Sequence, residues 1–283
     1  MLRIAIQSKG RLNEDSVALL KEIGINIDES KRKFLVQAGN FPLELLLVRD
    51  DDIPQIVSNG TAELGIVGLN EVKESGKDVK IVDKLGFGAC RISLAIPKTE
   101  EYTGPSYFEG KRIATSYPNI LKEFLDKHGV SAKIEVITGS VEIAPAADIA
   151  DAIFDIVSSG GTLVSNGLKE VEKVFWSEAV LIGGAELSEE NKAILEEILF
   201  RIESAKVSKG KKYLLMNIPE SAIDEAVKLL PALRSPTILP LAAKGWCSMH
   251  SVVDTKELWT KIRQLKAIGA EGILVLNVDK IIP

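Results

Sequence analysis

The sequence predicts an α/β protein with two lobes, followed by a smaller C-terminal module. Short apolar runs alternate with segments of helical periodicity along most of the chain. A polar stretch at 98–109, which holds Gly104 and Pro105, interrupts this alternation and marks a domain border near residue 95. From about Lys211 the order of elements changes to βαββαβ. The predicted domains are 1–95 with 183–208, 96–182, and 209–283.

The first lobe begins with strands and helices in strict alternation. A parallel pair of strands needs a crossover, which a helix usually supplies, so this order predicts a mainly parallel sheet. Strand 91–97 is expected to lead out of the lobe. The predicted elements are strand 2–7, helix 13–23, strand 43–48, helix 51–59 and strand 64–67.

The second lobe is expected to contain a strand from Arg112, helix 117–128, strand 132–137 and the strand that carries Asp155. Residues 181–184 are predicted to lead the chain back to the first lobe, because the amphipathic helix 189–206 needs a surface to pack on. In such folds ligands lie beyond the carboxyl ends of the strands. A binding cleft is therefore expected where these ends meet.

The C-terminal segment follows a polar, basic linker at 208–212. Its βαββαβ order is that of a ferredoxin-like module, which by itself indicates no ligand. The predicted elements are strand 212–217, helix 221–230, strand 237–241, strand 247–253, helix 256–268 and strand 272–276.

One segment, 151–163, combines an apolar strand with a small loop that contains glycine. Adjacent glycines permit backbone angles that leave several N–H groups pointing into one concavity, which suits an anion. Asp155 borders this loop, whereas Asp151 would stand roughly 13 Å from Asp155 along a strand. Asp151 is expected to start the strand or to support the site without touching the ligand. We assign Asp155 to ribose hydroxyls and the loop to the attached phosphate. The loop residues are Ser158, Ser159, Gly160, Gly161 and Thr162.

An ordinary strand end with a Ser-Gly turn is the alternative for this segment. Composition agrees with a soluble cytoplasmic enzyme, as it would with many other proteins. The net charge of -5 and the absence of a basic block speak against nucleic acid. Two cysteines cannot build a disulfide framework, and the two histidines have no metal-ligand spacing. No stretch has the apolar length of a signal peptide or a membrane span. We expect a cytoplasmic protein that binds no membrane.

Together with segments 8–12, 112–119 and 139–145, the loop resembles the ATP phosphoribosyltransferase family in its long form. Asp148 stands where the family signature has Gly. The resemblance implies two lobes like those of periplasmic binding proteins. It also implies transfer of phosphoribosyl from phosphoribosyl pyrophosphate to N1 of ATP, which gives phosphoribosyl-ATP and pyrophosphate and commits material to histidine biosynthesis. The matching residues, in order, are Glu142, Ala150, Ile153, Asp155, Ser159, Gly160, Thr162 and Leu163.

The implied chemistry needs cations, because two unit charges 4 Å apart repel by about 4 kcal/mol at a dielectric of 20. Lys9 and Arg11 are predicted to act with Asp155 in catalysis, although a solvated loop is the alternative for both. Mg²⁺ that bridges substrate oxygens is the expected cofactor, with few protein ligands. Further predicted substrate contacts are Arg49, Asn70, Thr115 and Glu142.

Asn70 and Glu63 replace residues that are usually Asp in the family, which puts the nucleotide contact there in doubt. The long form carries a C-terminal domain that binds histidine as a feedback inhibitor, and the resemblance extends to Ser235, Thr237 and Ala270 as effector-binding residues. It also implies a homo-oligomer, from dimer to hexamer. The rival hypotheses are a two-lobed binding protein for an anionic solute and a catalytically silent regulatory paralogue.

Overall fold

The computed structural model describes residues 1–28, 34–184, 186–230 and 234–282. It divides into two compact units, Met1–Glu197 and Ile198–Pro283. No helix among the described residues combines the length and apolarity that a membrane span requires.

The first unit contains two sheets, and their strands are joined by short helices. Its elements are β1 (Leu2–Gln7), α1 (Arg11–Glu22), β2 (Leu35–Gln37), β3 (Leu43–Val48), α2 (Ile53–Ser58), β4 (Leu64–Gly68), α3 (Leu69–Ser75), β5 (Lys80–Lys84), β6 (Cys90–Pro97), β7 (Arg112–Thr115), α4 (Pro118–His128), β8 (Lys133–Val136), β9 (Ala152–Val157), α5 (Gly161–Ser165), β10 (Leu168–Ser177) and β11 (Ala179–Gly183). Helix α6 (Glu189–Ser208) follows.

The first sheet has the order β2-β3-β1-β4-β11-β5. Strand β1 runs parallel to β3 and β4, as the alternation of strands and helices predicts. Strands β2, β11 and β5 are antiparallel to their neighbours, so the prediction of a mainly parallel sheet is right only for the centre. The returning strand β11 enters antiparallel because it comes from the second sheet rather than from a helical crossover.

The second sheet has the order β10-β6-β9-β7-β8. The chain enters it between Lys84 and Cys90 and leaves it between Ser177 and Ala179. The entry lies a few residues before the predicted border at 95, and the exit a few residues before the predicted border at 183. The division into domains stays a prediction. The two sheets carry separate cores, which gives the two-lobed α/β architecture.

Strand β9 shows why the apolar segment before the loop folds as it does. Ala152, Ile153 and Phe154 are all fully buried, with Phe154 packed in one core cluster and Ile153 in another on the opposite face. Asp151 precedes the strand and accepts hydrogen bonds from the backbone N–H of Arg112 at 2.8 Å and from its Nη2 at 3.0 Å. The prediction that Asp151 starts the strand agrees with these contacts.

The prediction lacks β2, α3, β5, α5 and β10, and it gave residues 181–184 as a returning segment without naming the strand β11. Strand β5 is largely exposed and lacks an apolar face. Strand β10 contains register shifts against β6, which break the alternation that identifies a strand. Helix α3 begins directly after β4, with no loop between the two.

The second unit has the predicted βαββαβ order. Its sheet is antiparallel throughout with the order β13-β14-β12-β15, and its core includes Leu214, Met216 and Met249. This is a ferredoxin-like arrangement. The elements are β12 (Lys211–Pro219), α7 (Ile223–Leu229), β13 (Thr237–Pro240), β14 (Trp246–Asp254), α8 (Leu258–Ala267) and β15 (Glu271–Asn277).

Candidate functional site

A cavity of about 320 Å³ opens in the first unit, where the ends of strands from both sheets meet. The loop after β1, the start of α3 and the end of β9 all contribute to its wall. The cavity therefore lies at the carboxyl ends of strands, as the sequence predicts. The described residues that line it are Gln7, Gly10, Arg11, Leu12, Asp15, Asp50, Gly68, Asn70, Glu71, Gly88, Ala89, Cys90, Ile156, Ser158 and Ala179.

A hydrogen-bonded cluster of side chains joins the two lobes beside this cavity. Asn70 is buried, and its Oδ1 accepts from Ser177 Oγ at 2.7 Å. Its Nδ2 donates to Glu71 Oε1 at 2.8 Å and to the Tyr117 hydroxyl at 3.3 Å. Tyr117 in turn donates to Glu71 Oε1 at 2.9 Å. The uncharged amide of Asn70 can both donate and accept here, which an ionised carboxylate could not do.

Burial raises the pKa of Glu71 from its ordinary 4.5 to about 7. The hydrogen bond from Tyr117 lowers this pKa, whereas the negative charges of Asp50, Asp51 and Glu74 raise it further. Near neutral pH the side chain is therefore divided between a charged acceptor and a neutral acid. Sequence reasoning did not select Glu71, although it directly follows Asn70.

The predicted cations differ in their placement. Arg11 begins α1 and is the one cationic side chain among the described residues that line the cavity. Lys9 is exposed in the preceding turn. Arg49 is exposed and binds the carboxylate of Asp51 through Nε at 3.0 Å and Nη2 at 2.9 Å. Arg49 is thus already paired within the chain.

The predicted phosphate loop begins where β9 ends. Gly160 has a φ of 82°, a left-handed conformation that glycine adopts without strain. Its carbonyl accepts from the N–H of Val164 at 3.1 Å, which closes the first turn of α5. The N–H groups of Ser159, Gly160, Gly161 and Thr162 donate to no acceptor in the described part of the chain. Unpaired N–H groups on one short turn form an anion-binding nest.

Asp155 lies next to this loop and is partly buried. Burial raises the pKa of Asp155 from 3.8 to about 6. The N–H of Ile156, which donates to Asp155 Oδ1 at 2.7 Å, lowers this pKa, and the negative charge of Glu142 raises it. Asp155 and Glu142 are therefore close enough to interact electrostatically beside the loop.

The remaining predicted substrate contact, Thr115, is fully buried. Its Oγ1 accepts from the N–H of Tyr117 at 2.8 Å, so it orients the turn that leads into α4. Of the predicted residues, the structure brings together Arg11, Asn70 and Ser158 on the cavity wall. The prediction missed Tyr117 as a cavity neighbour, because a tyrosine at a helix start carries no catalytic signature in a sequence.

In the second unit, Ser235 and Thr237 are exposed at the start of β13, whereas the side chain of Ala270 is buried in the core. Ala270 is only 4% exposed, and its N–H donates to the carbonyl of Leu265 at 3.0 Å. Cys247 is also buried in this core, and Cys90 lines the cavity of the first unit. Effector binding by these residues stays a prediction.

The residues near the cavity supply oxygen donors, which suit a hard divalent cation. Asp15, Asp50 and Glu71 provide carboxylates in its wall. Within the described ranges, however, no three His, Cys, Asp or Glu side chains cluster closely enough to hold a metal ion by themselves. The site therefore fits a cation that also has ligands from elsewhere.

Comparison with known proteins decides the family. The model of the family described as "HisG: ATP phosphoribosyltransferase" matches residues 49–204, and that of "HisG, C-terminal domain" matches residues 208–280. The chain belongs to the ATP phosphoribosyltransferase family. The second match places it in the long form, which has the additional C-terminal domain. It is a pentosyltransferase of histidine biosynthesis.

Relatives in this family match along the whole chain. The ATP phosphoribosyltransferase of Phocaeicola vulgatus is 59% identical over 282 residues and covers 100% of both chains. That of Bacteroides thetaiotaomicron is 58% identical over 282 residues, again with 100% of both chains covered. That of Cytophaga hutchinsonii is 51% identical and covers 100% of this chain and 99% of its own.

Among solved structures, an ATP phosphoribosyl transferase (HisG:HisZ) complex from Thermotoga maritima is similar with a TM-score of 0.63. It is 27% identical, and the match covers 72% of this chain and 96% of that chain. A substrate binding protein of an amino acid ABC transporter reaches a TM-score of 0.50 at 13% identity, covering 73% of this chain and 93% of its own. The second likeness concerns the two-lobed fold alone and confirms the predicted architecture.

Proposed function

We propose that the cavity and the 158–162 loop form the site where phosphoribosyl pyrophosphate and ATP react. In the family reaction, N1 of adenine attacks the anomeric carbon and pyrophosphate leaves. The carbon–oxygen bond to pyrophosphate breaks with both electrons passing to the leaving group. One observation carries the proposal, namely that the loop offers N–H groups without acceptors in the described chain, directly beside the half-buried carboxylate of Asp155.

Asp155 is assigned to the ribose hydroxyls. A partly buried carboxylate beside an anion nest suits a sugar phosphate, because the hydroxyls separate the carboxylate from the phosphate. The raised pKa of Asp155, about 6, indicates an environment that disfavours its charge in the free protein. Hydrogen bonds from two hydroxyls would favour the charged form and lower this pKa. Substrate binding and ionisation of Asp155 are therefore expected to support each other.

The transition state develops positive charge on the ribose ring and negative charge on pyrophosphate. Asp155 and Glu142, whose negative charges lie close enough to interact, are assigned to stabilise the positive ring. Arg11, on the cavity wall, is assigned to phosphate oxygens, and exposed Lys9 is assigned to the same role from the adjacent turn. Holding two substrates in register accounts for much of the acceleration in such a displacement.

The adenine ring of ATP is assigned to the part of the cavity that Asn70 and Glu71 line. Both side chains offer hydrogen-bonding groups, and Cys90 and Ile156 supply apolar surface for a flat ring. Arg49 and Thr115 are retained as predicted contacts, with Arg49 needing to exchange its Asp51 partner for a phosphate.

Mg²⁺ is proposed as the divalent cation, held mostly by substrate oxygens. When bound it would neutralise phosphate charge, which the wall of the cavity does only in part because Arg11 shares that wall with Asp15, Asp50 and Glu71. Asp15 and Asp50 would contact its hydration shell. A ligand set of oxygen atoms with retained waters is typical of Mg²⁺.

The second unit is proposed to bind histidine as feedback inhibitor near Ser235, Thr237 and Ala270. A homo-oligomer, from dimer to hexamer, and a cytoplasmic location complete the proposal, without nucleic acid or membrane as partner. Support for a regulatory site in this unit comes from the match of residues 208–280 to the C-terminal domain of the family.

The reaction is tested by mixing the protein with ATP, Mg²⁺ and phosphoribosyl pyrophosphate and following the ultraviolet absorbance of the product. Pyrophosphatase is added to draw the reaction forward. Asp155→Ala is expected to reduce kcat/KM at least about hundredfold, since it removes a charged hydrogen-bond acceptor from the transition state. Asp151→Ala serves as control, because that carboxylate is paired with Arg112 at the start of the strand. Wild-type efficiency in Asp155→Ala would refute the ribose assignment.

A further inference from the structure

Behind the phosphate loop, three side chains from neighbouring strands form a compact polar cluster. Arg91 in β6 binds Glu170 in β10 through Nε to Oε1 at 2.5 Å and through Nη2 to Oε2 at 2.7 Å. Ser93 Oγ donates to the same carboxylate at 2.6 Å. The side chains of Arg91 and Glu170 are only 18% and 19% exposed. The pair is thus held in a defined geometry largely away from water.

The remaining nitrogen of the guanidinium reaches the loop itself. Arg91 Nη1 donates to the carbonyl of Ser158 at 3.2 Å. A trans peptide is planar, so the carbonyl of Ser158 and the N–H of Ser159 point in opposite directions. Anchoring the carbonyl on Arg91 therefore fixes the direction of the Ser159 N–H. That N–H has no acceptor among the described residues and is free for a ligand.

The charge of Arg91 is already matched within the chain. Its bidentate contact with Glu170 raises the pKa of Arg91 and lowers the pKa of Glu170. The guanidinium of Arg91 also lies over the ring of Trp176, with 6.0 Å between Arg91 Cζ and the ring centroid. Because Glu170 neutralises its charge, Arg91 acts on the loop by holding the Ser158 carbonyl in place. Arg11, on the cavity wall, is the residue assigned to bind the charge of the phosphates.

We propose that Arg91 is a positioning residue for the reaction, which holds the Ser158–Ser159 peptide so that the Ser159 N–H faces the 5-phosphate of phosphoribosyl pyrophosphate. The inference rests on the proposed function of the 158–162 loop. Arginine is required because its planar fork binds Glu170 with two nitrogens and leaves the third for the carbonyl, which a lysine ammonium cannot reproduce.

The test compares Arg91→Lys and Arg91→Met with wild type in steady-state kinetics and in calorimetric titration with phosphoribosyl pyrophosphate and Mg²⁺. Both variants are expected to raise the KM and the dissociation constant for this substrate about tenfold and to leave the KM for ATP within about twofold. If Arg91→Lys restores wild-type affinity, charge alone suffices and the positioning role is refuted. An equal rise of both KM values also refutes it.

Arg3→Lys is a matched control. Arg3 donates from Nε to Glu44 at 2.8 Å and from Nη1 to the carbonyl of Thr61 at 3.0 Å, the same pattern of contacts but in the first sheet. It is expected to leave both KM values unchanged. Should thermal melting show that the Arg91 variants unfold, Glu170→Gln decides. It leaves Arg91 in place and weakens its anchor, so an unchanged affinity for phosphoribosyl pyrophosphate would overturn the inference.

The outcomes separate this inference from the function on which it rests. If wild type fails to bind phosphoribosyl pyrophosphate, the proposed function and the inference both fall. If wild type binds it, Asp155→Ala loses it and Arg91→Lys binds as wild type does, only the role of Arg91 is refuted.

Discussion

Glu71→Gln should stabilise the protein at alkaline pH and change its stability little at acid pH. Gln keeps an oxygen that can accept from Tyr117 and Asn70, as Glu71 Oε1 does at 2.9 and 2.8 Å. It removes a negative charge that is disfavoured mainly by burial and, to a smaller extent, by repulsion from Asp50. The substitution therefore isolates the cost of ionising this site.

The magnitude follows from the pKa of about 7 in the folded protein and the ordinary value of 4.5. A difference of about 2.5 between the two corresponds to about 3.4 kcal/mol at 1.36 kcal/mol for each pH unit. Because the folded pKa is the higher one, the native state binds the proton more tightly. Its contribution to stability is complete below pH 4.5 and disappears as the pH rises through 7. The free energy of unfolding of Glu71→Gln relative to wild type should therefore be about 2–3 kcal/mol higher at pH 8.5 than at pH 5.

Urea unfolding at pH 5 and pH 8.5 measures this difference. The matched control is Glu196→Gln, which removes an exposed carboxylate from α6. It should give the same change relative to wild type at both pH values. If Glu71→Gln also gave no difference between the two pH values, ionisation of Glu71 would not oppose folding and the reasoning would be wrong.

Gly160→Ala should lower affinity for phosphoribosyl pyrophosphate and destabilise the protein by about 1–2 kcal/mol, because φ at this position is 82°; calorimetric titration and thermal melting check both, with Gly39→Ala as the control, since Gly39 is exposed, has no positive φ and lies outside the loop. Phe154→Ala should cost about 3–5 kcal/mol in the free energy of unfolding, since the ring is fully buried in a core formed with residues of β6, β7 and α4; a loss below 1 kcal/mol in urea unfolding would contradict its place in the core. Thr237→Val should raise the histidine concentration for half-inhibition about tenfold while leaving uninhibited turnover intact; inhibition with wild-type sensitivity would place the effector elsewhere.

The order of elements was predictable because the alternation of apolar runs and helical segments survives in most of the chain. Strand β9 and its loop were recognisable from an apolar run followed by glycines, and β12 to β15 from the change of pattern after Lys211. Strand β10 was not, because its bulges against β6 hide the period of two. Edge strands such as β5 give little signal because they contain few apolar residues.

The site was predictable only where a local pattern carries chemistry. Gly160 and the unpaired N–H groups after it follow from a loop that can be read in sequence. The contact of Arg91 with Ser158 joins residues 67 positions apart, and that of Tyr117 with Glu71 joins residues 46 apart. The first contact depends on the pairing of β6 with β9, and the second depends on how the two sheets are arranged. Periodicity reports neither. The exposed position of Arg49 and its pairing with Asp51 were equally invisible before folding.

The position of β11 between β4 and β5 has a consequence for synthesis on the ribosome. The first sheet cannot be completed by residues 1–84, because the strand that separates β4 from β5 is Ala179–Gly183. At roughly 5–20 residues per second, the intervening roughly 95 residues take about 5–20 s to translate. During that interval β4 exposes an unpaired apolar edge, so nascent chains are open to mispairing or chaperone capture until the polypeptide returns from the second sheet.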